Sequence, residues 1–104
     1  MTGKMIKIKY KITSILHSGR KGLRNMPVTE KKYDGIVGSI VTLIYVDRIE
    51  DCKQFTDMIF NLIETDSDYE LWHTSPIISI GTDTDGGYVV ETVNTIYYME
   101  EVSD

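Results

Sequence analysis

A small β-rich domain, a barrel-like curled antiparallel sheet of roughly five or six strands, is the fold this chain predicts. Three observations carry that expectation. Residues 5–13 alternate apolar and lysine positions, residues 76–93 read as a hairpin around an Asp-Gly-Gly turn, and sustained helical periodicity is confined to one short stretch near 50–57. The 104 residues suit one domain, 1–104, with a single modest core.

The first element is "MIKIKYKIT" (5–13), where Ile6, Ile8, Tyr10 and Ile12 alternate with Lys7, Lys9, Lys11 and Thr13. This is a half-buried strand with one lysine-studded face, and lysines on a strand suit a sheet edge that resists unwanted pairing. Residues 17–36 carry Gly19, Gly22, Pro27 and Gly35 without periodicity and predict a long loop. In "VGSIVTLIYVD" (37–47) both alternating sets are mostly apolar, so a central strand covered on both faces is expected.

Residues 48–64 are readable in two ways. Cys52, Phe55, Ile59, Leu62 and Ile63 recur at helical spacing behind a possible cap, Asp51. Yet "MIFNLIE" (58–64), "TDSD" and "YELWHT" also form a strand, turn and strand, and a strand at 58–64 is the preferred reading. Downstream, "PIISI" (76–80) and "YVVETV" (88–93) flank "GTDTDGG", whose glycines supply the positive backbone angles of a tight reversal. "TIYYME" (95–100) is a further strand, with Asn94 at a bend before it.

Charge is unevenly distributed along the chain. The net charge is −5, but all eleven Lys and Arg residues fall within 4–53, against five acids there, while 54–104 holds eleven acids and no base. Either the halves interleave in space and neutralise each other, or the molecule is dipolar, with an anion-seeking and a cation-seeking face. The lone Cys52 excludes an internal disulfide and a cysteine-based zinc site, which suits a reducing cytoplasm. No apolar run approaches a membrane span and no leader pattern opens the chain, so no membrane partner is expected.

Few residues suggest chemistry. His17 and His73 stand apart without metal-ligand spacing, and "DTDG" (83–86) fails the calcium-loop frame and reads as a turn. Ser75 lacks an orienting base, Glu91 lacks a partner carboxylate, and Cys52 is better suited to burial than to nucleophilic attack. No enzyme, cofactor or metal is therefore expected. The stretch "HSGRKGLRNMP" (17–27) lacks the P-loop frame, yet its glycines allow close approach and Arg20, Lys21 and Arg24 supply phosphate-binding charge. It is either a solvated loop or the grip of a phosphorylated ligand. Thr74, Ser75, Asn94, Thr95 and Tyr97 form either a hydrogen-bonded staple between strands or the polar floor of a pocket walled by Trp72, Tyr88 or Tyr98.

The segments "WHTSPIISI" and "GYVVETVNTIYYMEE" resemble small proteins carried by phages and prophages of Gram-positive bacteria, through Thr74-Ser75-Pro76 and the Thr92, Asn94, Thr95, Tyr97 pattern. "YDGIVGSIVTL" (33–43) is a weaker echo of the same group. The resemblance implies a non-catalytic accessory protein of counter-defence type, inhibiting a host protein or sequestering a nucleotide-like signal in the host cytoplasm. The expected contacts are Arg20, Lys21 and Arg24 to phosphate and Trp72, Thr74 and Asn94 to a base or sugar. A nucleic-acid-associated barrel, with Lys7, Lys9 and Lys11 joined to the basic loop, is the alternative; oligomeric state is left open.

Overall fold

A computed structural model describes residues 8–19, 22–62 and 71–102. Six strands, β1 (Lys9–His17), β2 (Ile40–Leu43), β3 (Asp57–Leu62), β4 (Leu71–Thr82), β5 (Tyr88–Thr92) and β6 (Thr95–Val102), run antiparallel and close into a barrel in sequence order. Closure comes from β1 pairing with β6, from Lys9 opposite Val102 to His17 opposite Thr95. The edge expected at β1 is therefore absent: its lysines face solvent, but both of its backbone sides are hydrogen-bonded, to β2 and to β6.

Alternation decides which side chains fill the interior. Tyr10, Ile12 and Ile15 of β1 turn inward, as do Val41 and Leu43, Met58 and Phe60, Ile77, Val90, Tyr97 and Met99. A barrel of this size has an interior that side chains fill completely. Bulges at Ile12/Ser14, Asp57/Ile59 and Ile77/Ser79 bend the strands enough to close it. Aromatic packing runs through the core: Phe60 lies 6.4 Å from Trp72 and 6.2 Å from Tyr97, and Trp72 lies 5.5 Å from Tyr33.

Two expected elements differ. The strand over 37–47 contracts to Ile40–Leu43, because Gly38 and Tyr45 both take positive φ and end the extended run. Its outer residues Ile40 and Thr42 are only half-buried, so it is not covered on both faces. The short helix near 50–57 reduces to one 3-10 turn at Ile49–Asp51, and the strand reading holds for 57–62. Residues 5–7 and 63–70, the latter including "TDSD" and the start of "YELWHT", lie outside the described residues.

Loops plug both rims. At one rim the β2–β3 connection inserts Ile49, fully buried, and its N–H donates to the Tyr10 hydroxyl at 3.1 Å. At the other rim the long β1–β2 connection supplies Tyr33 and Ile36 to the core and contains a second 3-10 turn, Lys31–Tyr33. This connection is tied down by His17 N–H to Met26 carbonyl (2.8 Å), Val28 N–H to Ile15 carbonyl (3.1 Å) and Ser18 N–H to Asn94 carbonyl (3.1 Å). Gly19 is required where it crosses the β5–β6 turn, since a Cβ there would stand 2.5 Å from the Val93 carbonyl oxygen.

Candidate functional site

The two rims carry different chemistry. The rim of the β1–β2 connection holds Arg24, one of the three residues singled out for anion binding. Arg20 and Lys21 lie outside the described residues. Arg24 is engaged: its guanidinium spans both oxygens of Glu91 at 3.0 and 3.1 Å and reaches the Ser18 carbonyl at 3.2 Å. The Ser18 hydroxyl donates to the same carboxylate at 2.8 Å. Hydrogen bonds from Arg24, then from Ser18, hold the Glu91 carboxyl below the usual carboxylate range. Basic and acidic halves thus meet here, as they do at Arg48–Glu101 (3.8 Å) and where Lys11 stands opposite Glu100.

A depressed carboxyl pKa stabilises the folded state above the unfolded pKa, and that stability is lost as pH falls through the folded value. Much of the pair is solvent-exposed, which keeps the effect modest. The melting temperature of the native chain should therefore fall more steeply than that of Glu91→Gln as pH drops from about 5 to about 3. Parallel curves in a thermal titration would remove the Arg24–Glu91 pair as a pH-sensitive element.

Trp72 and Thr74 face the barrel rather than solvent. The Trp72 indole N–H donates to the Tyr97 hydroxyl at 3.0 Å, and Thr74 Oγ1 accepts from Met58 N–H at 2.9 Å while donating to the Ser75 carbonyl at 2.8 Å. The Thr/Ser/Asn residues form an internal staple centred on Thr92. Its Oγ1 accepts from the Ser75 hydroxyl (2.9 Å) and from Thr95 N–H (3.1 Å), and donates to the Thr95 carbonyl (2.8 Å). Ser75 Oγ in turn accepts from Asn94 N–H at 3.0 Å.

Asn94 is exposed, on the rim of a cavity of about 340 Å³ shared with His17, Gly19, Glu30, Lys32 and Tyr33. His17 is only 8% exposed there, and its nearest charged partner is Glu30 Oε1, 3.9 Å from Nε2. The Lys32 ammonium sits 5.1 Å from the Tyr33 ring centroid.

The opposite rim is acidic and aromatic. The β2–β3 loop brings Asp47, Glu50 and Asp51, with Asp57 opening β3; the β4–β5 turn brings Asp83 and Asp85; the end of β6 brings Glu100 and Glu101. Lys9, Lys11, Arg48 and Lys53 are the cations on these same elements. Asp83 serves the turn itself, its Oδ1 accepting from Asp85 N–H (2.8 Å) and Gly87 N–H (2.9 Å). From the same loop project Tyr45, 89% exposed, and Phe55, 74% exposed. Both have left-handed backbones, with φ of 73° and 70°. Beside Tyr45 lies a mostly apolar groove of about 230 Å³ lined by Ile44, Tyr45, Cys52, Met58 and Ile59, with Asp51, Lys53 and Asp57 also on its walls.

The loop is braced rather than loose. Ile49 is held by Tyr10, Glu50 by the Tyr88 hydroxyl at 3.2 Å, Arg48 by Glu101, and Phe55 N–H by the Ile77 carbonyl at 2.7 Å. Burial, with Asp51 adding to it, pushes the Cys52 thiol up, which keeps it a thiol rather than a nucleophile. Among the described residues no group of three His, Cys, Asp or Glu side chains is arranged to hold a metal ion, and no helix is long and apolar enough to cross a membrane.

Tyr45 and Phe55 were not singled out by sequence reasoning. Tyr45 continued the apparent strand and Phe55 fitted the helical spacing, so both looked like core positions. Compared with protein-family models, curated proteins and solved structures, the chain matches none of them.

Proposed function

We propose that the chain is a non-catalytic binding protein of phage type that acts in the host cytoplasm by occupying a host defence protein with its β2–β3 rim. The observation that carries this reading is the pair of bulky aromatics, Tyr45 and Phe55, held out to solvent in left-handed conformations. Such a conformation costs an ordinary residue about 1–2 kcal/mol. A fold that holds two aromatics this way, on a loop braced at four points, presents anchors whose ordering cost is already met. Exposed aromatics of this kind are the usual centres of protein interfaces.

The surrounding charge specifies the occupant. Carboxylates outnumber cations on the described elements of this rim by two to one. The fitting partner therefore offers an apolar pocket ringed by Lys and Arg, and electrostatic attraction would accelerate its capture. The test is retention of a host protein by the tagged native domain and its loss from the Tyr45→Gly/Phe55→Gly variant. The affinity for that protein should also weaken about tenfold or more between low and high salt. Retention of the same proteins by both forms, or a salt-insensitive complex, would refute the reading.

A further inference from the structure

The second half of β4 carries a strand edge that the rest of the barrel leaves open. β3 pairs with β4 from Asn61 opposite Leu71 to Asp57 opposite Pro76, and bonds from Phe55 and Thr56 to Ile77 complete that side. From Ile78 to Thr82, β4 keeps β5 on one side, and among the described residues no backbone bonds to it on the other. A side chain meets it there instead. The Gln54 amide donates to the Ile78 carbonyl at 2.8 Å, where a neighbouring strand would put an N–H. The fold treats β1 differently. Where β1 outruns β2, the β1–β2 connection covers it, with Ile12 N–H donating to the Ser39 carbonyl at 3.0 Å and Val28 N–H to the Ile15 carbonyl at 3.1 Å.

An open edge is a template for a further strand, and natural sequences guard it with charge or proline. Ile78-Ser79-Ile80-Gly81-Thr82 has neither, and the bulge at Ile77/Ser79 guards only its start. Beside the edge runs a groove of about 330 Å³ lined by Cys52, Gln54, Ile77, Ile78, Ser79 and Ile80. Phe55 stands at its Ile77 end, and Ile78 is 39% exposed. Charge selects the occupant. Asp83 and Asp85 lie past one end of the edge, and Asp51, Lys53 and Asp57 lie across Cys52 from the other, four carboxylates to one cation. A second copy paired edge to edge, antiparallel, would set its own Asp83–Asp85 turn against Asp51 and Asp57. A strand bearing Lys or Arg is attracted at both ends.

We infer that the partner of the aromatic rim adds a β-strand of alternating apolar and basic residues to the edge at Ile78–Thr82. Its backbone takes over the Ile78 carbonyl from Gln54, its apolar side chains enter the groove beside Phe55, and its cations face the aspartates at either end. Main-chain bonds supply affinity in such an addition, and the alternate side chains supply specificity. The inference rests on the reading of the β2–β3 rim as a protein-contact surface and names the form the partner takes there.

The test is calorimetric titration of the intact chain with a short capped peptide of alternating Lys and Val, beside the same peptide N-methylated throughout and a version with Glu in place of Lys. The first should bind and slow amide hydrogen exchange within 78–82; the other two should bind about tenfold more weakly or worse. Gly81→Lys should keep the fold, since a Cβ there meets nothing within 4 Å, and should weaken the Lys/Val peptide about tenfold by placing a cation on the edge. Absence of binding by that peptide overturns the proposal, as do equal binding of either control and undiminished binding by a folded Gly81→Lys. Self-association of the native chain in sedimentation, abolished by Gly81→Lys, would give the edge to a second copy and overturn it too. A host protein retained equally by the native and Gly81→Lys forms would strike the added strand and leave the aromatic contact standing, so the two readings fail separately.

Discussion

Thr92→Val should lower the stability of the fold by about 2–4 kcal/mol, although it changes the side-chain volume little. Thr92 is fully buried, and its hydroxyl is the meeting point of β4, β5 and the start of β6. Valine removes the hydroxyl that accepts from Thr95 N–H and donates to the Thr95 carbonyl. It also frees the Ser75 hydroxyl, which positions Asn94 through its own accepted bond. Each buried group left without a partner costs about 1–3 kcal/mol, and Ser75, being only half-buried, can recover part of its share from water. For a domain of this size, a loss of that order moves the melting temperature down by roughly 10–20 °C. Chemical denaturation of Thr92→Val beside Thr92→Ser separates the causes. Serine keeps the hydroxyl and should retain most of the stability, and equal loss in both would assign the effect to the missing methyl instead.

That staple was legible as a set of residues but not as a centre. Thr74, Ser75, Asn94, Thr95 and Tyr97 stood out because polar residues interrupt otherwise apolar strands, yet the hub is Thr92, and Thr74 bonds instead to Met58 N–H. Which hydroxyl becomes the hub depends on the register between β4 and β5, Ile77 opposite Thr92 with a shift before Ser79, and a register is not written in either strand alone. The barrel shows the same division. Alternation identified most strands, because one face of each must be apolar. Closure between β1 and β6 is a contact between opposite ends of the chain, and local pattern is silent about it.

The charge map was half legible for a related reason. Segregation of cations before residue 54 and acids after it is plain in the sequence, but a closed barrel sets the first strand beside the last. Lys11 consequently meets Glu100, and Arg24 meets Glu91 across 67 residues of chain. A nucleic-acid contact through β1 has to accommodate those neighbouring carboxylates. Of the three residues expected to bind phosphate, Arg24 serves the fold, while His17, set aside in the sequence as a metal ligand, lines the rim cavity.

Replacing Tyr45 and Phe55 by glycine should abolish partner binding, by about 100-fold or more, while leaving the fold as stable as before or slightly more so. The two effects have opposite signs for one physical reason. In the left-handed region glycine escapes the clash between Cβ and the backbone that tyrosine and phenylalanine endure, a relief of about 1–2 kcal/mol each. Against this stands the greater freedom of glycine in the unfolded chain, of about 0.4–1 kcal/mol. Little packing is forfeited, because both rings are largely in solvent. An interface, by contrast, loses two large aromatic anchors at once, each of the kind that contributes 2 kcal/mol or more in typical alanine scans (roughly 30-fold in affinity). A residue kept for folding would behave in the reverse manner, with glycine lowering the melting temperature and sparing the complex. Thermal denaturation and binding measured on the same two single variants therefore discriminate directly. Unchanged affinity with a raised melting temperature would mean that the strain at Tyr45 and Phe55 serves something other than a partner.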